Sequence, residues 1–482
     1  MNRSTHDNNV IKDAPATEKS FLFREFFNDS RSLLLSILLA AFAWRLVLVI
    51  GFPHHAHDEI RYTTPAINML AGRGFSSEVV APYRPTEHAM PLYPIFIAGV
   101  YAIFGEHNLA IRIAQAVLDS LTGLLVAFVA FNLAPVKVRR ESAIWAIVCY
   151  GFFSWFTVIW TSFILTETLA IFLTMLAVAT SVWASRGRFW RWLLVGFVCG
   201  LAILTRADSG LLAMSFVLYL TFQIVRMRSA ETIVSLFLFC FATTMVLTPW
   251  AVRNYVAFGK FQPLASPYGA PRGEVLPKGY ELWIETWLST YESNYGALDP
   301  FYFQGIPAFD FSVLPSSAFD STGERDEVAK LIARQNRPEG ISTEEFSNRF
   351  YELAIERIKR APMRYFVWLP LQRIASNWLT GFGTTNELRR FARIMLVLPI
   401  LIGGAVGLVV WARNPMLVSV LVLLIMTRTI YFAYLISESR YIVEAYPAMI
   451  AAFGITCAII LSRIKSAVRR LRQLLTGSPL QP

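Results

Sequence analysis

The stretch best equipped for chemistry is His54-His55-Ala56-His57-Asp58-Glu59-Ile60-Arg61-Tyr62. Its adjacent carboxylates, Asp58 and Glu59, stand about seven residues beyond an apolar run that ends at Gly51. An ionised carboxylate at a membrane surface, within hydrogen-bond reach, takes the proton of a substrate hydroxyl while a lipid substrate lies alongside in the bilayer. The plain counterpart is a solvated loop in which Asp58 caps a helix. The loop continues through Gly72-Arg73-Gly74-Phe75 and Tyr83-Arg84-Pro85-Thr86-Glu87-His88-Ala89-Met90-Pro91-Leu92-Tyr93-Pro94, with glycines and prolines marking turns. Glu87 and His88 are placed to join the acidic pair around a substrate or a metal. His54, His55, His57 and His88 are four of the six histidines. Their spacing matches no standard zinc pattern; no cofactor is required by the residues, and a divalent metal stays open beside ordinary polar loop roles.

Cations in expensive places form the second group. Arg45, Arg206, Arg253, Arg428 and Arg440 lie within apolar runs or at their rims. A charge in hydrocarbon costs ~2.5–3.5 kcal/mol on insertion scales, so function is the default reading. Arginine's planar fork suits phosphate oxygens, which makes Arg45, Arg253, Arg428 and Arg440 candidates for a lipid phosphate. Pairing of Arg428 with Glu438 or Glu444, pairing of Arg206 with Asp208, and snorkelling are the competing readings. Glu167 opens an apolar run, where it orients an arginine or a sugar, or simply favours a helix first turn. Trp283, Trp287, Tyr291 and Tyr295 recur every four residues with Glu281, Glu285 and Glu292 among them. That stripe is core packing, membrane seating or a sugar-stacking groove.

The elements that must hold these residues are membrane spans. The chain has 482 residues, 55% hydrophobic and 16% charged, with mean hydropathy +0.47. Soluble domains are about 45–50% apolar and about 25% charged. This balance excludes an ordinary soluble enzyme, a disordered chain and a secreted disulfide scaffold. The net charge is +11, and a nucleic-acid partner is less apt here than basic cytoplasmic loops. Residues 1–31 form a polar tail, and no small-residue cleavage site follows the first span at Ser32–Gly51, so that span reads as uncleaved. Further spans are expected at 110–134, 142–160, 163–184, 190–205, 208–225, 231–251, 393–411, 416–436 and 443–462, about ten in all. Basic clusters at 137–140, 186–191, 226–228 and in the tail 463–482 place both termini on the cytoplasmic side. The four cysteines, Cys149, Cys199, Cys240 and Cys457, fall inside apolar runs as small buried residues.

The expected organisation is a bundle over 32–251, an outer domain over 252–392 and terminal spans over 393–462. Two outer segments result, the loop 52–109 and the domain 252–392. Within them Tyr93–Phe104 is too short to cross comfortably, and 363–380, which holds Arg364, Pro370 and Arg373, is expected to lie on the interface. Ser342-Thr343-Glu344-Glu345 reads as a capping box opening a helix with Phe346, Phe350, Leu353 and Ile358 on one face.

In joint order, Asp58-Glu59 with Tyr62, the Gly-x-Gly-Phe and Pro-Leu-Tyr-Pro stretches, Thr166-Glu167-Thr168, Thr248-Pro249-Trp250-Ala251-Val252-Arg253-Asn254-Tyr255 and Ser439-Arg440-Tyr441 resemble the protein mannosyltransferase and aminoarabinose transferase-like family of lipid-linked-sugar glycosyltransferases. One stretch departs: relatives often have Lys-Pro-Pro where this chain has Ala89-Met90-Pro91. The resemblance implies an all-α polytopic membrane protein with a GT-C-like bundle in a bacterial inner membrane, its active site on the periplasmic face. It implies transfer of a sugar from polyprenyl phosphate to an envelope acceptor (lipid A or core, cell-wall glycan or protein), with inversion. Asp58 and Glu59 would be catalytic. Arg61, Tyr62, Arg84, Glu87, His88, Glu167, Arg253, Asn254, Arg428, Arg440 and Tyr441 would contact substrates. A transporter or flippase, a polysaccharide polymerase or ligase, and a non-catalytic scaffold are the alternatives. A transporter calls for mid-span charges and helices broken at matching places in two halves, whereas the polar motifs here gather towards one face.

Overall fold

The computed structural model describes residues 31–56, 58–265, 277–289, 310–336, 343–379, 387–435 and 438–476, and these contain helices and no strands. The helices are α1 (Arg31–Gly51), α2 (Glu59–Leu70), α3 (Leu92–Phe104), α4 (Asn108–Leu133), α5 (Arg139–Val148), α6 (Trp155–Val158), α7 (Glu167–Ser185), α8 (Trp192–Thr205) and α9 (Gly210–Met227). They continue as α10 (Ala230–Phe258), α11 (Lys278–Glu285), α12 (Thr322–Gln335), α13 (Thr343–Arg360), α14 (Leu369–Leu379), α15 (Glu387–Val406), α16 (Pro415–Ala433) and α17 (Tyr446–Thr476).

The all-α polytopic architecture expected from the apolar runs is borne out, with a different count of spans. Among the described residues eight helices are long and apolar enough to cross a membrane, and a ninth if Val136–Phe153 and Trp155–Ser162, bent by 61°, form one broken span. Ser154 makes the break. Its backbone leaves the helix at φ −93° and ψ 54°, and its hydroxyl donates to the Tyr150 carbonyl at 2.5 Å, the back-bonding by which serine competes with a helix ladder.

The expected span at 190–205 is the shorter apolar helix Phe189–Thr205. It leans on α10 through two glycines. A Cβ on Gly196 would stand 2.2 Å from the Phe239 carbonyl oxygen, and one on Gly200 would stand 2.6 Å from Val246 Cβ. Thr243 Oγ1 also donates to the Gly196 carbonyl at 3.0 Å. Small residues four apart allow the backbone approach that substitutes for a hydrophobic drive in lipid. The centre of the bundle is α4, α7 and the first half of α17, while α10 keeps most of its surface outward. Cys149 and Cys199 are buried as expected. Cys240 is exposed on that outward face of α10, and Cys457 is half-buried.

Outside the spans, α11, α12 and α13 share a core of Tyr280, Trp283, Trp287, Val328, Phe346 and Phe350. Trp283 and Trp287 are therefore packing residues, and Tyr291, Glu292 and Tyr295 lie outside the described residues. So does Ser342 of the expected capping box. A cap is present instead at α12, where the Glu324 N–H donates to Ser321 Oγ at 3.1 Å. Segment 363–379 is not among the helices able to cross. Arg373 in α14 is buried and donates to the carbonyls of Leu288 at 2.9 Å, of Ala433 at 3.3 Å and of Glu285. Arg373 thus ties the end of α11 to the end of α16.

Candidate active site

Asp58 occupies the N-cap position of α2, where its carbonyl accepts from the Arg61 N–H at 3.1 Å, yet its side chain makes no capping bond. It turns away from the helix, and Oδ2 accepts from Arg440 Nη1 at 3.0 Å, joining positions 382 residues apart. Both side chains stay reachable, at 31% and 20% exposure. The neighbouring Glu59 takes a different direction, as adjacent residues on a helix must. It accepts from His55 at 3.2 Å and from the Ile164 N–H at 3.4 Å, with Arg112 at 3.7 Å. The Asp58-Glu59 pair is thus split: Asp58 faces a cation across the site, and Glu59 ties the loop to the approach of α7.

Arg440 also meets Glu438 at 2.7 Å and lies 5.3 Å from the centre of the Tyr441 ring. Arg206 lies 5.5 Å from that same ring. It donates to Glu167 Oε1 at 2.8 Å, to Thr166 Oγ1 at 3.1 Å and to Asp208 at 3.0 Å, with Glu444 at 3.7 Å. Arg428, fully buried, donates to Asp208 at 2.8 Å, to Glu444 at 2.7 Å and to the Tyr441 carbonyl at 3.1 Å. Thr174 donates to the other oxygen of Glu444 at 2.9 Å. Three guanidinium groups therefore face five carboxyl groups at one end of the bundle. Charges removed from water persist only when paired in this way. Burial pushes the Asp58 carboxyl up, but Arg440, Arg61 and Arg206 outweigh it and hold the group below its usual range. Burial raises the Glu438 carboxyl against the pull of Arg440. Burial raises the Tyr62 hydroxyl to about 12, helped by Asp58.

Of the residues singled out in the sequence, Asp58, Glu167, Arg428, Arg440 and Tyr441 are brought together, and Tyr62 borders them. Arg61 adds positive charge to Asp58 and Tyr62. A second cluster fixes the first loop. Arg253 donates to the carbonyls of Thr86 at 2.7 Å and Phe75 at 3.0 Å and stands over the Trp250 ring at 4.9 Å. Asn254 donates to the Gln262 carbonyl at 2.7 Å, and Glu87 accepts from Lys260 at 2.7 Å. His88 is lowered by burial and by Arg61. Arg84 is exposed. Arg45 is buried and paired with Asp119 at 2.6 Å, away from this end.

Asp208, Glu438 and Glu444 were missed as site residues. Their signal was available as acids flanking apolar runs, beside arginines that needed partners. Among the described residues no three of His, Cys, Asp and Glu are gathered to hold a metal. His54 pairs with Ser162 at 2.9 Å, and His57 lies outside the described residues.

Residues 85–250 match the dolichyl-phosphate-mannose-protein mannosyltransferase family. The match bears out the resemblance drawn from the motifs over that segment, which holds Glu87, His88, Glu167 and Arg206. Asp58, Arg428 and Arg440 lie beyond it. Among solved structures, the chain is similar to the archaeal oligosaccharyltransferase AglB from Archaeoglobus fulgidus in complex with an inhibitory peptide and a dolichol-phosphate. The TM-score is 0.48 at 13% identity, over 94% of this chain and 53% of that one. A structure of the Archaeoglobus fulgidus oligosaccharyltransferase tethered with an acceptor peptide gives 0.49 at 14%, over 95% and 52%. ArnT from Cupriavidus metallidurans bound to undecaprenyl phosphate gives 0.35 at 16%, over 88% and 77%. The chain spans about half the length of the oligosaccharyltransferases it matches. No curated protein matches it in sequence.

Proposed function

We propose that the protein transfers a monosaccharide from a polyprenyl-phosphate donor to an acceptor hydroxyl of the cell envelope, with inversion. The reaction takes place on the outer face of a bacterial inner membrane. The observation that carries this reading is Asp58. It occupies a cap position without capping, is held below the ordinary carboxylate range, and remains open to substrate opposite Arg440. A largely apolar groove of about 840 Å³ is lined by Trp44, Leu48, Phe52, Trp155 and Phe156 together with His54, Arg389, Arg393 and Ser439. Ser439 precedes Arg440, so a polyprenyl chain lying in the groove brings its phosphate towards that guanidinium.

The step balances simply. Asp58 takes the acceptor proton, the acceptor oxygen bonds to the anomeric carbon, and the sugar–phosphate bond breaks with its electron pair going to the phosphate. Polyprenyl phosphate leaves with an added negative charge, so it needs cations more than a proton donor. Arg440 supplies positive charge at that end of the bundle, while Arg206 and Arg428 are already matched by Glu167, Asp208 and Glu444. Glu59, bound through Ile164 and Arg112, keeps the loop in place while Asp58 works.

The test is release of polyprenyl phosphate from a panel of polyprenyl-phosphate sugars, with crude envelope acceptors, by protein in nanodiscs. Asp58→Asn should lose about 10²–10⁴-fold of the rate, the usual weight of a general base, with the fold retained. Because Asp58 ionises below its usual range, the wild-type rate should hold down to about pH 4. Full activity in a folded Asp58→Asn variant rules out the base assignment. No release with any monophosphate donor moves the weight to diphosphate-linked polymer chemistry or transport.

A further inference from the structure

Arg440 holds two acids at once, Asp58 at 3.0 Å and Glu438 at 2.7 Å. A carboxylate committed to a guanidinium is a poor base, and a guanidinium committed to a carboxylate is a poor phosphate ligand. Taken alone, the pair is set against both tasks that the proposed function assigns to it. Resting on that proposal, we infer that Arg440 is a shared cation, handed from the Asp58 carboxylate to the donor's phosphate as the sugar moves.

Charge bookkeeping over the reaction supports this. Before transfer, Asp58 carries one negative charge, Arg440 one positive and the sugar–phosphate diester one negative. After transfer, Asp58 holds the acceptor's proton and is neutral, while the released phosphate carries about two. The negative charge leaves Arg440's partner as it arrives on the phosphate. A cation between the two groups is therefore neutralised throughout and never stranded in a poorly solvated site.

The surroundings fit this exchange. Glu438 is 4% exposed and stays on the Nε edge of Arg440, keeping the guanidinium in place while Nη1 changes partner. The Nη1 edge faces the more exposed acid, Asp58, and the adjacent residue in the chain, Ser439, lines the apolar groove. The other charged groups that act on Asp58 are Arg61 and Arg206. Arg206 is engaged by Glu167 and Asp208, so it is poorly placed to change partners with the phosphate. Arg440 is thus a positioning residue for the base and a ligand for the leaving group in turn.

The test is equilibrium binding of undecaprenyl phosphate to purified protein in detergent, and it needs neither the donor sugar nor turnover. Asp58→Asn frees Arg440 and should bind this lipid about tenfold more tightly than wild type, the equivalent of about 1.4 kcal/mol. Arg440→Gln should bind it more weakly, and Arg440→Lys should recover part of the loss. Asp58→Asn combined with Arg440→Gln should bind no better than Arg440→Gln alone. If Asp58→Asn tightens binding equally in the Arg440→Gln background, the gain is simple removal of charge and the handover is wrong. No tightening in Asp58→Asn also overturns it, while leaving the donor assignment standing. Absence of binding by the wild type takes down both readings together.

Discussion

Arg428→Met is the substitution whose cost can be worked furthest from the coordinates. The side chain is fully buried and makes three charge-assisted bonds, to Asp208, Glu444 and the Tyr441 carbonyl. Methionine fills most of the volume and removes the charge. Asp208 keeps Arg206 at 3.0 Å and loses little. Glu444 is 1% exposed and keeps only the hydroxyls of Thr174 at 2.9 Å and Ser209 at 3.4 Å, with Arg206 at 3.7 Å. It is the group left stranded. Breaking a buried pair costs about 3–5 kcal/mol, and with one acid stranded rather than two the lower end, about 3 kcal/mol, applies. Polytopic proteins unfold irreversibly, so the readout is a rate: the half-life of soluble, monodisperse protein in detergent at a fixed temperature. If the whole cost falls on the unfolding barrier, that half-life shortens by about 150-fold at 1.36 kcal/mol per decade. Adding Glu444→Gln removes the stranded charge and keeps the contact with Thr174. It should return all but about 1 kcal/mol, the worth of the missing hydrogen bonds. A single variant within twofold of wild type, or a second substitution that shortens the half-life further, refutes the claim that the pair is held by mutual compensation.

Two further perturbations probe other parts. Burial and the neighbouring Glu281 raise the Glu285 carboxyl to about 7 from 4.5, against the pull of Arg373. Its contribution to stability is complete below about pH 4.5 and is lost as pH rises through about 7. Glu285→Gln should therefore protect the outer domain from limited proteolysis at pH 8 by about 1–2 kcal/mol and change little at pH 4.5, the full shift being discounted for solvent screening; equal protection at both pH values counts against it. Gly200→Leu places a side chain where a Cβ already meets Val246 at 2.6 Å, prising α8 from α10 at a cost of about 1–3 kcal/mol. A detergent half-life no shorter than that of wild type argues against close glycine packing there.

The sequence declared the spans through composition, but not which of them are whole. The break at Ser154 depends on a serine folding back on Tyr150, a contact that no hydropathy window contains. The stretch 190–205 is apolar enough to pass for a span although its bounds already make it short, and the structure ends it at Thr205, where Arg206 leaves the helix to bond Glu167 on α7. The acidic pair was visible by position. Its division was not, because the directions of Asp58 and Glu59 depend on Arg440 and Arg112, 382 and 53 residues away. Asp208, Glu438 and Glu444 stood in the sequence only as possible partners of single arginines. The pairs Arg206–Asp208 and Arg428–Glu444 do form, but that Asp208 also meets Arg428, and so links the two pairs, depends on contacts between helices.

Arg253 and Arg440 show why residue type at the rim of the bundle does not settle a role. Both stood in the sequence as arginines suited to a lipid phosphate. Arg253 has given its fork to two backbone carbonyls and its face to Trp250. Carbonyl partners cannot let go of a cation by taking up a proton, so a phosphate that took this guanidinium would strip it from the Thr86 carbonyl, leave the Phe75 carbonyl with the Thr86 N–H alone, and loosen the loop that holds Glu87. Arg440 is bound by carboxylates, and a carboxylate relinquishes a cation as soon as it takes up a proton. Only the second arrangement can change partners within a catalytic cycle. On this argument the contacts of Arg253 hold the loop, and it is Arg440 on which the proposed transfer draws.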